Sequence, residues 1–251
     1  MTPAFPRDLL ERLRAARHIM VLTGAGASAE SGIPTFRDAL TGLWKRFDPT
    51  QLATAKAFEA DPELVWGWYE WRRTLVARCA PNPGHDAIAR LQGLAPQVTV
   101  VTQNVDDLHE RAGSAAVIHV HGSIGAPRCF DCARGWSSRD PVPADPARLA
   151  PPRCADCGGM IRPGVVWFGE SLPPREWAAA ESAARSCDLI LVVGTSSLVY
   201  PAADLPRLAA ASGAVLVEVN PDLGGLDGLD GHFLRGAAGE VLPALIAAAW
   251  P

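Results

Sequence analysis

The sequence predicts an α/β fold: a Rossmann-like, doubly wound parallel sheet that carries a smaller, discontinuous helical and zinc-binding domain. Three observations predict it. Short apolar runs rich in Val and Ile recur at residues 18–22, 98–101, 117–120, 188–193 and 215–219. The stretches between them are rich in Ala, Leu and Arg with helical periodicity, and strands alternating with helices bury both faces of a parallel sheet. Two stretches break the alternation: residues 39–77 read as helical without strands, and 127–162 are rich in Pro, Cys and Gly with little periodicity. These expectations divide the chain into a sheet domain of residues 1–38, 78–126 and 163–251, and a small domain of a helical module, 39–77, and a metal-binding module, 127–162. Residues 224–231, rich in Gly, Asp and Leu, read as an irregular loop.

The 251 residues, 48% hydrophobic and 20% charged, suit one sizeable globular unit or a large domain carrying a small one. A formal charge of −4 gives no general basic field for phosphate backbones or anionic lipid. No direct nucleic-acid or membrane partner is expected. The first ten residues mix Pro, Arg and Asp rather than forming an apolar core, and no run approaches the roughly 20 apolar residues of a membrane span, so a soluble, cytoplasmic protein is expected.

The first chemical signal follows the first strand: Thr23-Gly24-Ala25-Gly26-Ala27-Ser28-Ala29-Glu30-Ser31-Gly32-Ile33-Pro34-Thr35-Phe36-Arg37-Asp38. Small residues at a strand-to-helix turn let backbone N–H groups approach a pyrophosphate, and a helix N-terminus stabilises its charge. Gly-x-Gly-x-x-Ala alone is equally consistent with a tight turn. An ordinary dinucleotide fold would place an acidic residue about 20 positions on, at the end of a second strand. Here no strand follows, so the loop has a further task.

The run 98–101 breaks into Gln103, Asn104 and Asp106, at the C-terminal end of a parallel strand, where ligand crevices of such sheets lie; the alternative is loop capping. His119 and His121 alternate along the third run and face one side. Cys129-x-x-Cys132 and Cys154-x-x-Cys157 have zinc-ribbon spacing, and four thiolates close a tetrahedral shell with no open position, so this metal is structural. Two disulfides are the weaker alternative in this compartment. Cys79 and Cys187 read as packing residues. Asp61-Pro62 starts a helix that runs through Arg73, placing Tyr69, Arg72 and Arg73 within one turn, with Tyr69 and Arg72 on one face. Such a pair presents a phenol and a guanidinium to a carboxylate; the bland alternative is an aromatic core helix with a solvated Arg.

The loop from Gly24 to Arg37 resembles the first signature of the sirtuins, Thr102-Gln103-Asn104-Val105-Asp106 their second and His121-Gly122 their third. Val166-Trp167-Phe168-Gly169-Glu170, Gly194-Thr195-Ser196-Ser197 and Asn220-Pro221-Asp222 follow in the family's order, so the resemblance spans nearly the whole chain. It implies an NAD-dependent protein-lysine deacylase that consumes NAD as co-substrate and carries one structural zinc. By resemblance, Gly24, Ala25, Gly26, Ser28, Glu30, Ile33, Gln103, Asn104, Asp106, Gly194, Thr195, Ser196 and Asn220 contact NAD. Phe36 and Arg37 cover its nicotinamide end, and His121, with Asn104, is catalytic; His119 is structural. The acyl oxygen attacks the ribose C1′ as nicotinamide leaves, and His121 then promotes attack by the 2′-hydroxyl, giving free lysine and O-acyl-ADP-ribose. Val166, Trp167, Phe168 and Gly169 are expected to pair with the substrate backbone as an added strand.

Tyr69-x-x-Arg72 resembles the sirtuin subgroup that prefers succinyl- and malonyl-lysine, and Ala53 that subgroup's small residue at the pocket floor. The resemblance therefore implies acyl-lysine proteins as partners, with deacetylase, desuccinylase or demalonylase activity. Three competitors remain. A zinc-containing dehydrogenase needs a catalytic zinc or proton relay that four-Cys ligation does not supply. A silent ADP-ribose-binding module does not need His121, Asn104 and Asp106 together. Protein ADP-ribosyl transfer shares the same site.

Overall fold

The structure is a computed structural model describing residues 5–34, 48–137, 148–222, 226 and 228–251. Helix α1 (Arg7–Ala15) leads into β1 (His18–Thr23), whose residues are buried throughout because it lies between two parallel strands. On one side is β2 (Gln97–Thr102), with His18 opposite Gln97; on the other is β6 (Leu189–Val193), with Ile19 opposite Leu189. With β3 (Ile118–His119), β7 (Val215–Asn220) and β8 (His232–Arg235) they form a six-stranded parallel sheet in the order β3-β2-β1-β6-β7-β8. The order reverses between β1 and β6, a switch point at which α/β sheets place ligands.

Alternation along each central strand builds two cores. Ile19 and Val21 of β1 pack with Leu189 and Leu191 of β6 under α1, α6 (Pro83–Leu91) and α10 (Ala238–Ala249). Met20, Leu22, Ile190 and Val192 face the opposite layer, α8 (Pro174–Ser186) and α9 (Leu205–Ala211). All five expected strands are present. The third is shorter than its apolar run, since the N–H of Gly122 closes a turn onto His119 O. Strand β8 was not expected: its residues alternate between half-buried and exposed at the sheet edge and lack the Val/Ile run of a buried strand.

The insertions supply α3 (Pro49–Leu52), α4 (Ala55–Ala60), α5 (Pro62–Arg78) and an antiparallel pair, β4 (Arg128–Cys129) with β5 (Ile161–Arg162). The start of α5 is as expected: Asp61 accepts from the N–H of Leu64 at 3.2 Å and Pro62 occupies the first turn, a cap contributing about 1 kcal/mol. The helix buries Trp66, Trp68 and Tyr69 in a third apolar cluster with Phe58, Cys129, Ile161 and Trp167. That cluster ties the helical insertion to the cysteine ribbon. Residues 39–47 and 138–147 of the two insertions lie outside the described residues.

Candidate active site

The C-terminal ends of β1, β2, β6 and β7 open into a cleft of about 830 Å³, closed on its far side by α5 and the segment 165–170. Gly24, Ala25, Gly26, Ser28 and Ile33 line it from the loop after β1, and Gly194, Thr195 and Ser196 from the loop after β6. These loops interlock. The N–H of Gly26 donates to Gly194 O at 2.7 Å, a Cβ on Gly26 would lie 2.7 Å from that oxygen, and Gly194 itself has φ +59°. Only glycine allows this approach. Helix α2 (Gly26–Ala29) has just four residues, so the expected charge stabilisation by a helix N-terminus is small here. The loops contribute a close backbone surface instead.

One expected contact lies away from the cleft. Glu30 is exposed and does not line the cleft; its carboxylate accepts from the N–H of Gly239 at 2.7 Å, in the first turn of α10, where an acidic group satisfies an otherwise open donor. Phe36 and Arg37 lie outside the described residues.

Beneath the cleft runs a buried polar network. Ser28 Oγ donates to Asp106 Oδ2 at 3.0 Å and accepts from Asn104 Nδ2 at 3.0 Å. His85 approaches the same hydroxyl through Nε2 at 3.4 Å. Its Nδ1 accepts from the N–H of Asn82, which puts its proton on Nε2. The N–H of Leu108 bonds Asp106 Oδ1. Burial nonetheless raises the Asp106 carboxyl above its usual range, because its hydrogen bonds only partly offset desolvation. Gln103 Nε2 donates to Thr195 Oγ1 at 2.9 Å, and Asn220 Nδ2 to Thr195 O at 2.8 Å, so the polar ends of β2, β6 and β7 are held together through Thr195. His85 is absent from the sequence reading. Its signal was the Asn82-Pro83 helix start with His85 at the third helical position, where a side chain normally returns to the cap.

The two strand histidines separate clearly. His121 Nδ1 lies 3.1 Å from Gln103 O. A carbonyl only accepts, so the proton sits on Nδ1 and Nε2 keeps its lone pair, in a ring that lines the cleft. Burial lowers the pKa of His121, favouring this neutral form. His119 also sends Nδ1–H to a backbone carbonyl, that of Asn104, but its Nε2 donates to Glu110 Oε1 at 2.6 Å. Burial would depress its pKa, and the Glu110 carboxylate outweighs that and raises it.

Tyr69 and Arg72, on one face of α5, and Ala53, between α3 and α4, line the opposite end of the cleft. Arg73 turns away to Glu70, with Nη2 2.6 Å from Oε2. Arg72 lies over the Trp68 ring, Cζ 5.1 Å from its centroid, and burial lowers its pKa. In the segment Val166–Gly169 the N–H of Val166 donates to His121 O, that of Trp167 to Glu170 Oε2 and that of Phe168 to Ala53 O. Among the described residues, only the Gly169 N–H of this segment has no partner. That limits the backbone donors left for an added strand, because His121 O, the Glu170 carboxylate and Ala53 O already take the other three. The exposed side chains of Leu198 and Tyr200, which the sequence reading missed, stand at the same rim. Apolar side chains on a loop carry no chemical signature in sequence.

The Sγ atoms of Cys129, Cys132, Cys154 and Cys157 all lie within 4.8 Å of one another. Tetrahedral thiolates at about 2.3 Å from zinc sit roughly 3.8 Å apart, whereas a disulfide needs about 2.05 Å. The separations of 3.4 Å for Cys129–Cys157 and 3.8 Å for Cys132–Cys154 fit a zinc ion and no disulfide. With all four ligands from the protein, the site is structural.

Residues 24–201 match the Sir2 family, and the chain belongs to it. An "NAD-dependent protein deacylase" of Methylococcus capsulatus is 58% identical over 247 residues, covering 97% of each chain. A crystal structure of a Sir2 homologue–NAD complex superposes with a TM-score of 0.89 at 44% identity, over 98% of this chain and 94% of the other. Sir2Af2, solved with a myristoylated histone peptide, has a TM-score of 0.77 at 35% identity, over 97% and 95%. The family read from the six motifs is therefore established. No helix among the described residues is long and apolar enough to cross a membrane.

Proposed function

We propose that this chain is an NAD-dependent protein-lysine deacylase whose acyl pocket accepts chains ending in a carboxylate, as in succinyl- and malonyl-lysine. One observation carries the reading: His121 presents a neutral imidazole with Nε2 accessible, in the cleft that also holds Asn104, Asp106 and the interlocked glycine loops. In that reading, Gly24, Ala25, Gly26, Ser28 and residues 194–196 receive the diphosphate and ribose of NAD, Asn220 the adenosine end, and Asn104, Asp106 and Ile33 the nicotinamide end. NAD supplies the electrophilic ribose carbon that takes up the acyl oxygen. His121 Nε2 takes the proton of the ribose hydroxyl, and its Nδ1–H bond to Gln103 O keeps the ring oriented as it charges. The products are nicotinamide, free lysine and O-acyl-ADP-ribose, with one water consumed. The substrate lysine enters between the sheet domain and the small domain, 39–77 with 127–162, whose described parts share one apolar cluster.

Tyr69 and Arg72 on one helix face, with Ala53 as a small floor, support the acidic-acyl preference. The test is incubation with NAD and acetyl-, succinyl- and malonyl-lysine peptides, following nicotinamide release and peptide mass together. Loss of the acyl mass with matching nicotinamide is expected. ADP-ribose added to a protein without loss of acyl mass points to ADP-ribosyl transfer instead, and an absorbance change from a reduced nicotinamide points to hydride transfer.

A further inference from the structure

The Trp167 side chain is 1% exposed, and a buried indole N–H must find an acceptor. It finds the hydroxyl of Tyr69, 98 residues away, with Nε1 3.0 Å from Oη. The indole has little freedom to leave this contact. Arg162 lies over its face, Cζ 3.5 Å from the ring centroid, the ring of Phe58 packs against it at 5.4 Å, and its backbone N–H is held by Glu170. Arg162 in turn donates to Glu170 through Nη1 and Nη2.

This bond sets what the Tyr69 hydroxyl can offer. A phenol carries one donor and two acceptor sites. The indole is donor-only, so it uses one of the acceptor sites and leaves the phenol proton to be given elsewhere. The neighbouring Arg72 guanidinium is also donor-only. Among the described residues, no protein acceptor takes the Tyr69 proton, although Tyr69 is 4% exposed and lines the cleft. Burial pushes its pKa up to about 12, so the proton stays in place at any working pH. The pocket thus holds a donated O–H beside a cation, with the oxygen's acceptor side occupied from behind.

We propose that Trp167 is a specificity-determining positioning residue: its indole N–H fixes the Tyr69 hydroxyl as a donor into the acyl pocket and so favours acyl chains that end in a carboxylate. The inference rests on the acidic-acyl reading above, and adds a residue whose side chain acts through Tyr69 rather than by touching substrate.

Two measurements test it. In ligand-free protein, the Trp167 indole N–H resonance, assigned by its loss in Trp167→Phe, is expected to shift upfield in Tyr69→Phe; an unmoved resonance means that the hydrogen bond does not exist and overturns the proposal without any substrate. In kinetics, Trp167→Phe is expected to lower the succinyl-to-acetyl ratio of kcat/KM roughly 10-fold, mainly through KM, the size of one modest hydrogen bond to a charged group. In a Tyr69→Phe background the same substitution should leave the ratio unchanged, since the group it orients is gone. An undiminished effect in that background, or equal losses on both substrates, overturns the role of Trp167. Failure of the acidic-acyl reading looks different: the wild-type protein then shows no preference that depends on Arg72, while the indole shift still reports the bond.

Discussion

Replacing Arg72 by Met tests the acyl pocket directly. Met keeps an unbranched apolar stem against Trp68 and removes the charge and the five donors. In the structure the guanidinium is half-buried and stacks over Trp68, with Tyr69 beside it and the lowered pKa of a desolvated cation. Breaking a buried charge pair costs about 2–5 kcal/mol. Arg72 keeps some contact with solvent, so the lower part of that range applies: about 2–3 kcal/mol, or a fall of roughly 30- to 150-fold in the succinyl-to-acetyl ratio of kcat/KM. The loss should sit mainly in KM, because the distal carboxylate is remote from the reacting carbon and is bound equally in ground and transition states. The assay is steady-state deacylation of matched acetyl and succinyl peptides. If Arg72→Met lowers both by the same factor, the residue is structural and the acidic-acyl reading fails, while the Sir2 assignment stands.

Other outcomes follow from the same site. His121→Ala should lower deacylation by roughly 10²–10⁴-fold with NAD affinity by calorimetry nearly unchanged; retained turnover removes His121 from the mechanism. Burial lowers the His121 pKa, and the neutral form is the base, so activity is lost as pH falls through the folded value: the acid limb of kcat/KM is expected below the ordinary histidine value of about 6.5, and a limb above it contradicts the assignment. Ala53→Phe should close the pocket floor and disfavour long acyl chains whatever their charge; an unchanged chain-length profile refutes that placement. Purified protein should hold one zinc per chain and lose thermal stability on chelation, because metal binding is part of the folding free energy; a metal-free preparation with the same Tm excludes structural zinc.

What the sequence made legible was what local pattern encodes. Val/Ile runs located the four inner strands because burial on both faces removes the need for polar alternation; the run 117–120 also marked the short edge strand β3, while the other edge strand, β8, exposed on alternate residues, escaped the same reading. Cysteine spacing located the metal ligands because each pair of thiolates must reach one ion. Tyr69 and Arg72 were placed on one face because three residues span nearly one helical turn. Contacts set by long-range packing were not legible. The alternation of His119 and His121 suggests equivalent groups, and nothing local shows that Glu110 pairs with one of them. The motif placed Glu30 at the cofactor; its partner, Gly239, lies 209 positions away and is reached only once α10 packs beside α2. The bond from Trp167 to Tyr69 likewise joins segments 98 positions apart.

The two histidines show how a fold assigns roles to like residues. Both rings send Nδ1–H to successive carbonyls of the loop after β2, that of Asn104 for His119 and that of Gln103 for His121, so both brace the loop that carries Asn104 and Asp106. They differ at Nε2. For His119 that atom meets the Glu110 carboxylate, both nitrogens act as donors, and a cation is stabilised that has no lone pair to take a proton. For His121 it meets the cleft, no carboxylate compensates desolvation, and the ring stays neutral with a basic nitrogen where the ribose hydroxyls of NAD are expected. The difference therefore comes from one acidic side chain on α7 (Leu108–Arg111), which engages Nε2 of His119 and leaves that of His121 free for the proton acceptance proposed above.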